Sequence, residues 1–172
     1  MNIQRWVGGV ASKPDLLYRP WNTKLDNGET VPVFFRDNYL SDKMFSYSEK
    51  RTDLSIEEFE NTILKLREKT SELNFIPVIS IIADGENFWE NYSNDGIDFL
   101  NGMYSVLTKY DWLKTITPSD YLEIYEDDLE TIDNLYPASW FEPNYATWIG
   151  ESEENQAWDL LLSLIHISEP TR

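Results

Sequence analysis

Asp84 and Glu86 stand two positions apart in the run Ala83-Asp84-Gly85-Glu86-Asn87. Two acids that close do not ionise with equal ease, and such a difference is what paired acid and base work needs. The nine residues ahead of them, 75–83, are almost continuously apolar and rich in β-branched side chains. That run predicts a strand buried on both faces, as in a parallel sheet, with Pro77 tolerated near its start. Polar residues directly after such a strand lie at its C-terminal edge, where α/β folds build their sites. Gly85 lets the backbone turn there or a ligand come close. On position alone, the two carboxylates read equally as an acid/base couple and as caps of the helix that follows.

The elements that would position them are legible by spacing. Residues 31–35 read as a short buried strand ending on Arg36 and Asp37. Ser55-Ile-Glu-Glu58 has the form of a capping box, and Ile56, Phe59, Ile63 and Leu66 follow at helical spacing, so a helix is predicted over about 55–72. A second helix should begin near Asp95 and bury Phe99, Leu100, Met103 and Leu107. Thr117 caps a third, with Pro118 at its first position, running to about Glu126. Residues 1–30 are turn-rich, and 134–150 carry Pro137, Pro143 and Gly150 among aromatics, so a long structured loop is expected before a helix from Glu151 to Leu161. The order strand, helix, strand, helix, helix gives an α/β fold with parallel strands; pattern alone leaves barrel and layered sheet open.

Composition narrows the partners. The 172 residues carry a net charge of −17, which repels a phosphate backbone and an anionic membrane but costs a neutral ligand nothing. No apolar run approaches the roughly 20 residues that span a bilayer. There is no cysteine, and the single histidine is His166, so a zinc site is not expected; no Asp-x-Asp-x-Asp-Gly calcium loop occurs either. Aromatic residues make up 15% of the chain, seven of them tryptophan, a composition suited to stacking on the apolar faces of sugars. Composition alone makes most of these rings core residues.

The stretch Asp84-Gly-Glu-Asn-Phe-Trp-Glu-Asn-Tyr-Ser-Asn-Asp-Gly96, with Phe99, Leu100, Met103 and Tyr104 after it, resembles the fourth motif of glycoside hydrolase family 57. The likeness is to its α-amylase and amylopullulanase branch. Phe34-Phe-Arg-Asp-Asn-Tyr-Leu-Ser-Asp42, with Tyr47 and Ser48, resembles that family's Phe-Arg-Asp…Leu-Ser-Asp stretch. Residues 43–46 are one shorter than the family's usual spacing, which carries a glycine there. Leu17-Tyr-Arg-Pro-Trp21 fits the segment before it. Ser139-Trp140, then Asn144-Tyr-Ala-Thr-Trp-Ile-Gly150 and Glu153-Glu-Asn-Gln-Ala-Trp158, resemble the tryptophan-rich loop and following helix. The resemblance runs in order over about residues 16–161.

That resemblance implies a retaining glycosidase on a distorted (β/α)7 barrel, acting on α-glucans such as starch, glycogen or maltodextrin, with no organic cofactor and no metal. It makes Asp84 the acid/base, which must hold a proton for the first step. Burial or a neighbouring negative charge, such as Glu86, favours that proton. Glu86 is also an acceptor for sugar hydroxyls and is not the nucleophile. Trp89 flanks the site or starts the helix. Trp140, Tyr145 and Trp148 stack on glucose rings or lock the loop down, with Trp140 the first choice for ligand contact. Arg36 and Asp37 are site residues or an ion pair, the pair being the expectation.

The family's nucleophile lies in an earlier motif with no counterpart here, so 1–161 is expected to be part of a catalytic barrel, inactive and unstable by itself. Residues 162–172 resemble eleven codons read through a transposase sequencing adapter. The alternatives are a non-catalytic carbohydrate-binding relative and a 4-α-glucanotransferase. A metal-dependent deacetylase is disfavoured by the missing histidines. The expected compartment is the cytoplasm, and the oligomeric state is left open.

Overall fold

The computed structural model describes residues 6–7, 10–85, 89–133, 135, 139 and 144–168. The chain divides into two compact units, Met1–Asp133 and Asn134–Arg172.

In the first unit, β1 (Trp6–Val7) and β2 (Val10–Ala11) pair antiparallel. A short α1 (Pro14–Leu17) follows, with proline at a first-turn position where its missing N–H is no loss. β3 (Trp21–Lys24) and β4 (Thr30–Val33) form a hairpin in the register Trp21↔Val33 to Lys24↔Thr30. Its turn is made by Asn27, whose Oδ1 accepts the Glu29 N–H at 3.0 Å, and by Gly28 at φ +87°. β5 (Thr131–Ile132) pairs parallel to β3, giving the order β4-β3-β5. Pro32 fits β4 because that strand is an edge.

The core lies among the helices rather than on this sheet. α2 (Asn38–Ser46) buries Leu40 and Met44, and a single 3-10 turn at Tyr47–Glu49 adds Tyr47. Residues 43–46 form the last turn of this helix. α3 (Thr52–Thr70) buries Phe59, Ile63 and Leu66 at i, i+4, i+7, the apolar stripe that its spacing predicts. α4 (Ile97–Lys109) crosses it and contributes Phe99 and Val106. Gly102 makes that crossing close, since a Cβ there would lie 2.1 Å from Ile56 Cδ1 and 2.6 Å from its Cγ1. α5 (Pro118–Tyr125) starts where predicted, with Thr117 Oγ1 accepting the Asp120 N–H at 3.1 Å.

Three expectations change. The helix at 55–72 begins at Thr52, so Ser55 is not its cap: that buried hydroxyl donates to the Tyr47 carbonyl at 2.9 Å. Glu58, the other half of the supposed box, instead takes Lys43 at 2.7 Å and Lys50. Residues 75–83 are not a strand buried on both faces. They form one bridge, Arg36↔Ser80, and leave Ile76 59% and Ile82 50% exposed. The reason is hydrogen-bond accounting: their backbone groups go to a helix end and to side chains, so no ladder forms.

The parallel sheet reduces to the β3–β5 pair. The architecture is mixed α/β with a small three-stranded sheet, and a seven-stranded barrel is not among the described elements.

In the second unit, α6 (Ser152–Ser168) starts where predicted and continues past Leu161. Among the described residues no helix is long and apolar enough to cross a membrane.

Two outcomes test this packing. Gly102→Ala should lower stability by about 1–2 kcal/mol in urea unfolding, because overpacking of roughly 1–3 kcal/mol exceeds the ~1 kcal/mol that alanine gains in a helix. An Ile56→Val background removes the nearest methyl and should shrink that loss. The second outcome concerns Glu58, whose carboxyl is held below its ordinary 4.5 by Lys43 and then Lys50. A folded value below the unfolded one means that this contribution is complete above about pH 4.5 and fades as pH falls through the lower folded value. Glu58→Gln should therefore lower stability in the neutral range and flatten the profile in that acid window, the difference from the parent shrinking as pH falls.

Candidate active site

Asp84 ends an extended segment that is held along one edge by regularly spaced hydrogen bonds. The Val78 N–H donates to the Tyr18 carbonyl at 2.8 Å, and the Ser80 carbonyl accepts the Asp37 N–H at 2.9 Å. The Ile82 N–H donates to Ser41 Oγ at 3.0 Å, and its carbonyl accepts Arg36 Nε at 2.9 Å. Ile79 and Ile81, between these pins, pack against the core. Extended chain alternates its faces, so Val78, Ser80, Ile82 and Asp84 share the face away from that core. Asp84 is accordingly exposed.

The pins come from one sequence stretch. Asp37 is wholly buried and caps α2, its Oδ1 accepting the Leu40 N–H at 3.0 Å while Oδ2 accepts the Tyr18 hydroxyl at 2.7 Å. Burial first, and the Asp37 charge second, push the Tyr18 phenol far above its ordinary range, so it stays a donor. Arg36 does not pair with Asp37. Its Nη1 reaches Asn38 Oδ1 at 2.8 Å and its Nη2 reaches Asp42 Oδ1 at 2.9 Å, leaving Nε for Ile82. The expected ion pair is thus with Asp42, because Asp37 is already taken by the helix end and the tyrosine.

Trp89 opens a 3-10 turn (Trp89–Asn91), and its Nε1 donates to the Gly85 carbonyl at 3.1 Å. Its ring leans on Tyr92 at 5.6 Å, Tyr92 on Phe99 at 5.0 Å and Phe99 on Tyr47 at 5.4 Å, a chain of rings leading into the core. The buried Tyr92 hydroxyl donates to the Met44 carbonyl, and burial pushes its phenol up as well. Asn94, Asp95 and Gly96 all take left-handed conformations, at φ +53°, +51° and +77°. Such a turn costs about 1–2 kcal/mol for each non-glycine residue. Only glycine fits at 96, where a Cβ would lie 2.7 Å from the Trp89 ring.

Glu86 and Trp140 lie outside the described residues. Trp148 belongs to the second unit, where its N–H donates to the Tyr145 carbonyl at 2.9 Å and its carbonyl accepts Trp158 Nε1 at 2.7 Å. Trp158 is therefore the lock between loop and α6, and the Trp148 ring stays 40% exposed. Trp89 is linked to the residue after Asp84 through its hydrogen bond to the Gly85 carbonyl. Among the described residues no group of three or more His, Cys, Asp or Glu is disposed to hold a metal ion.

Ser41, Tyr92 and Trp158 were not singled out from the sequence. The signal for Ser41 was present: Asp37 followed by Leu40, Met44 and Tyr47 is an N-cap before an apolar helical stripe.

The family model of Glycosyl hydrolase family 57 matches residues 6–133, which include Asp84, its pins and the Trp89 turn. The chain belongs to glycosyl hydrolase family 57, a family of glycoside hydrolases with TIM-like barrels that act on carbohydrate. The match stops before the tryptophan-rich stretch at 139–158. No curated protein and no solved structure matches the chain.

Asp37→Ala removes a cap worth about 0.5–2 kcal/mol and strands a buried hydroxyl at about 1–3 kcal/mol. Urea unfolding should show a combined loss of roughly 2–4 kcal/mol. Asp37→Asn, whose amide can accept from Leu40 and donate to Tyr18, should cost clearly less.

Proposed function

We propose that Asp84 is the acid/base carboxylate of a retaining glycosidase of the α-amylase and amylopullulanase branch, acting on α-glucans such as starch, glycogen or maltodextrin. One observation carries the reading: within the family-matched span, this exposed carboxylate ends a segment fixed at Val78, Ser80 and Ile82. In the first step a second carboxylate attacks the anomeric carbon. Asp84 gives its proton to the leaving glycosidic oxygen, so the C–O bond breaks and a glycosyl ester forms. Asp84 then takes a proton from water as the water oxygen attacks the same carbon and releases the ester. A 4-α-glucanotransferase differs only in that a sugar hydroxyl replaces the water.

The nucleophile on this reading is a second carboxylate, distinct from Asp84 and Glu86. On this reading residues 1–161 are part of a (β/α)7 catalytic barrel, and 162–172 are adapter-derived. The exposed Ile76 and Ile82 suit a segment that meets further strands in the complete barrel. Glu86 accepts from sugar hydroxyls and places negative charge near the acid. The faces of Trp89, Trp140 and Trp148 stack on glucose rings, and the Trp89 N–H is engaged at Gly85. The net charge of −17 suits a neutral glucan and not a nucleic acid. The cytoplasm is the proposed compartment.

The test is the protein translated from the complete reading frame, assayed on starch. Asp84→Asn should lower kcat/KM by roughly 10²–10⁴-fold while leaving the melting temperature near that of the parent. Undiminished turnover in that variant overturns the assignment of Asp84. Maltodextrin binding with no turnover in the parent protein overturns the enzyme reading in favour of a carbohydrate-binding one.

A further inference from the structure

Both backbone groups of Ile82 are engaged by side chains rather than by a neighbouring strand: the N–H by Ser41 Oγ at 3.0 Å, the carbonyl by Arg36 Nε at 2.9 Å. Neither partner is loose. Ser41 is wholly buried on α2, and the Arg36 guanidinium is held by Asn38 and Asp42 at 2.8 and 2.9 Å, with its side chain 12% exposed. A guanidinium is a rigid plane, so fixing two of its nitrogens aims the third. Ile82 lies two residues before Asp84, on the same face of the extended segment, and only Ala83 stands between the clamped carbonyl and Asp84.

We propose that Arg36 and Ser41 are positioning residues for Asp84: together they clamp Ile82 and thereby set where the acid/base carboxylate stands. The inference rests on the assignment of Asp84 as the acid/base. Proton transfer in the transition state tolerates displacements of only about 0.5 Å, and a strand ladder would ordinarily provide that rigidity. Among the described residues this edge carries the single bridge Arg36↔Ser80, and two side chains of the Phe34–Asp42 stretch continue it to Ile82. The contacts that make the clamp, from Arg36 Nε and Ser41 Oγ, both go to the Ile82 backbone. Their effect therefore falls on proton delivery and leaves glucan binding in place.

Substrates that differ in their need for a proton read this directly. A maltooligosaccharide leaves as a poor alkoxide unless protonated, whereas fluoride departs from an α-maltosyl fluoride without an acid. In the enzyme from the complete reading frame, Arg36→Met and Ser41→Ala should each lower kcat/KM for the maltooligosaccharide by about 10- to 100-fold. The value for the fluoride should change by less than about threefold, because kcat/KM reports only the first, glycosylation step. Arg36→Lys, a donor without the planar fork, should restore part of the loss.

In Ser41→Ala, hydrogen exchange at the Ile82 amide should quicken while the amides of α2 keep their protection, which separates a freed segment from an unfolded helix. Equal losses on both substrates, or no loss on either, overturn the positioning role while Asp84→Asn still shows the selective loss. If Asp84→Asn itself spares the maltooligosaccharide, the acid/base assignment falls and the positioning role with it.

Discussion

A carboxylate cannot leave water without donors around it, and Asp37 is wholly buried. Its two oxygens are met by the Leu40 N–H and the Tyr18 hydroxyl, and its own N–H reaches the Ser80 carbonyl at 2.9 Å. One residue thus fixes the start of α2, the end of α1 and the segment leading to Asp84. The geometry is demanding because every partner is itself placed by something else. Tyr18 is buried in the core, and Leu40 packs there one turn into the helix. Satisfying the charge therefore fixes where α2 points, and with it Arg36 on one side of the cap and Ser41 on the other.

The division of labour follows from magnitudes. A neutral hydrogen bond contributes about 0.5–1.5 kcal/mol net, whereas each buried Leu, Ile or Phe contributes about 1.5–3 kcal/mol. Leu40, Met44, Phe59, Ile63, Leu66 and Phe99 together outweigh every pin on the 75–83 segment. The apolar stripe across α2, α3 and α4 supplies stability. The polar contacts supply position, since each is directional and leaving any buried member unpaired costs more than forming it gains. The same reasoning explains why Glu58, with its side chain still 31% exposed, joins Lys43 and Lys50 instead of capping α3: solvent already serves an exposed helix end.

What could be read from the sequence was whatever depends on local period or cap chemistry. The stripe Phe59, Ile63, Leu66 and the Thr117-Pro118 start are properties of a few neighbouring residues, and both stand where spacing placed them. The apolar run at 75–83 suggested a doubly buried strand, but a ladder needs a neighbouring backbone in register and no local signal reports one. Arg36 beside Asp37 suggested a pair. The choice of Asp42 instead depends on Asp37 being consumed by Tyr18, nineteen residues earlier. Ser55 shows the same limit: its hydroxyl could accept a helix N–H as a cap or donate to a carbonyl, and burial beside Tyr47 gives the second. Type and spacing make Asp84 a candidate. That it lies on the exposed face follows from Ile79 and Ile81 being drawn to the core, which alternation alone could not orient.

The position of Asp84 is set from both sides. Upstream, Ile82 is held by Ser41 and Arg36; downstream, the Gly85 carbonyl is held by Trp89 Nε1 at 3.1 Å. Trp89 in turn stands only because Gly96 leaves room for its ring and because Asn94 and Asp95 accept left-handed backbone. Strain of that kind persists where surrounding contacts over-determine it. Here they do: Tyr92, between Trp89 and the strained turn, is anchored to Met44 on α2 and stacked on Phe99 of α4. The unfavourable turn is held by the same core that carries the clamp. Ile82 before the carboxylate and Tyr92 after it are thereby each tied to α2.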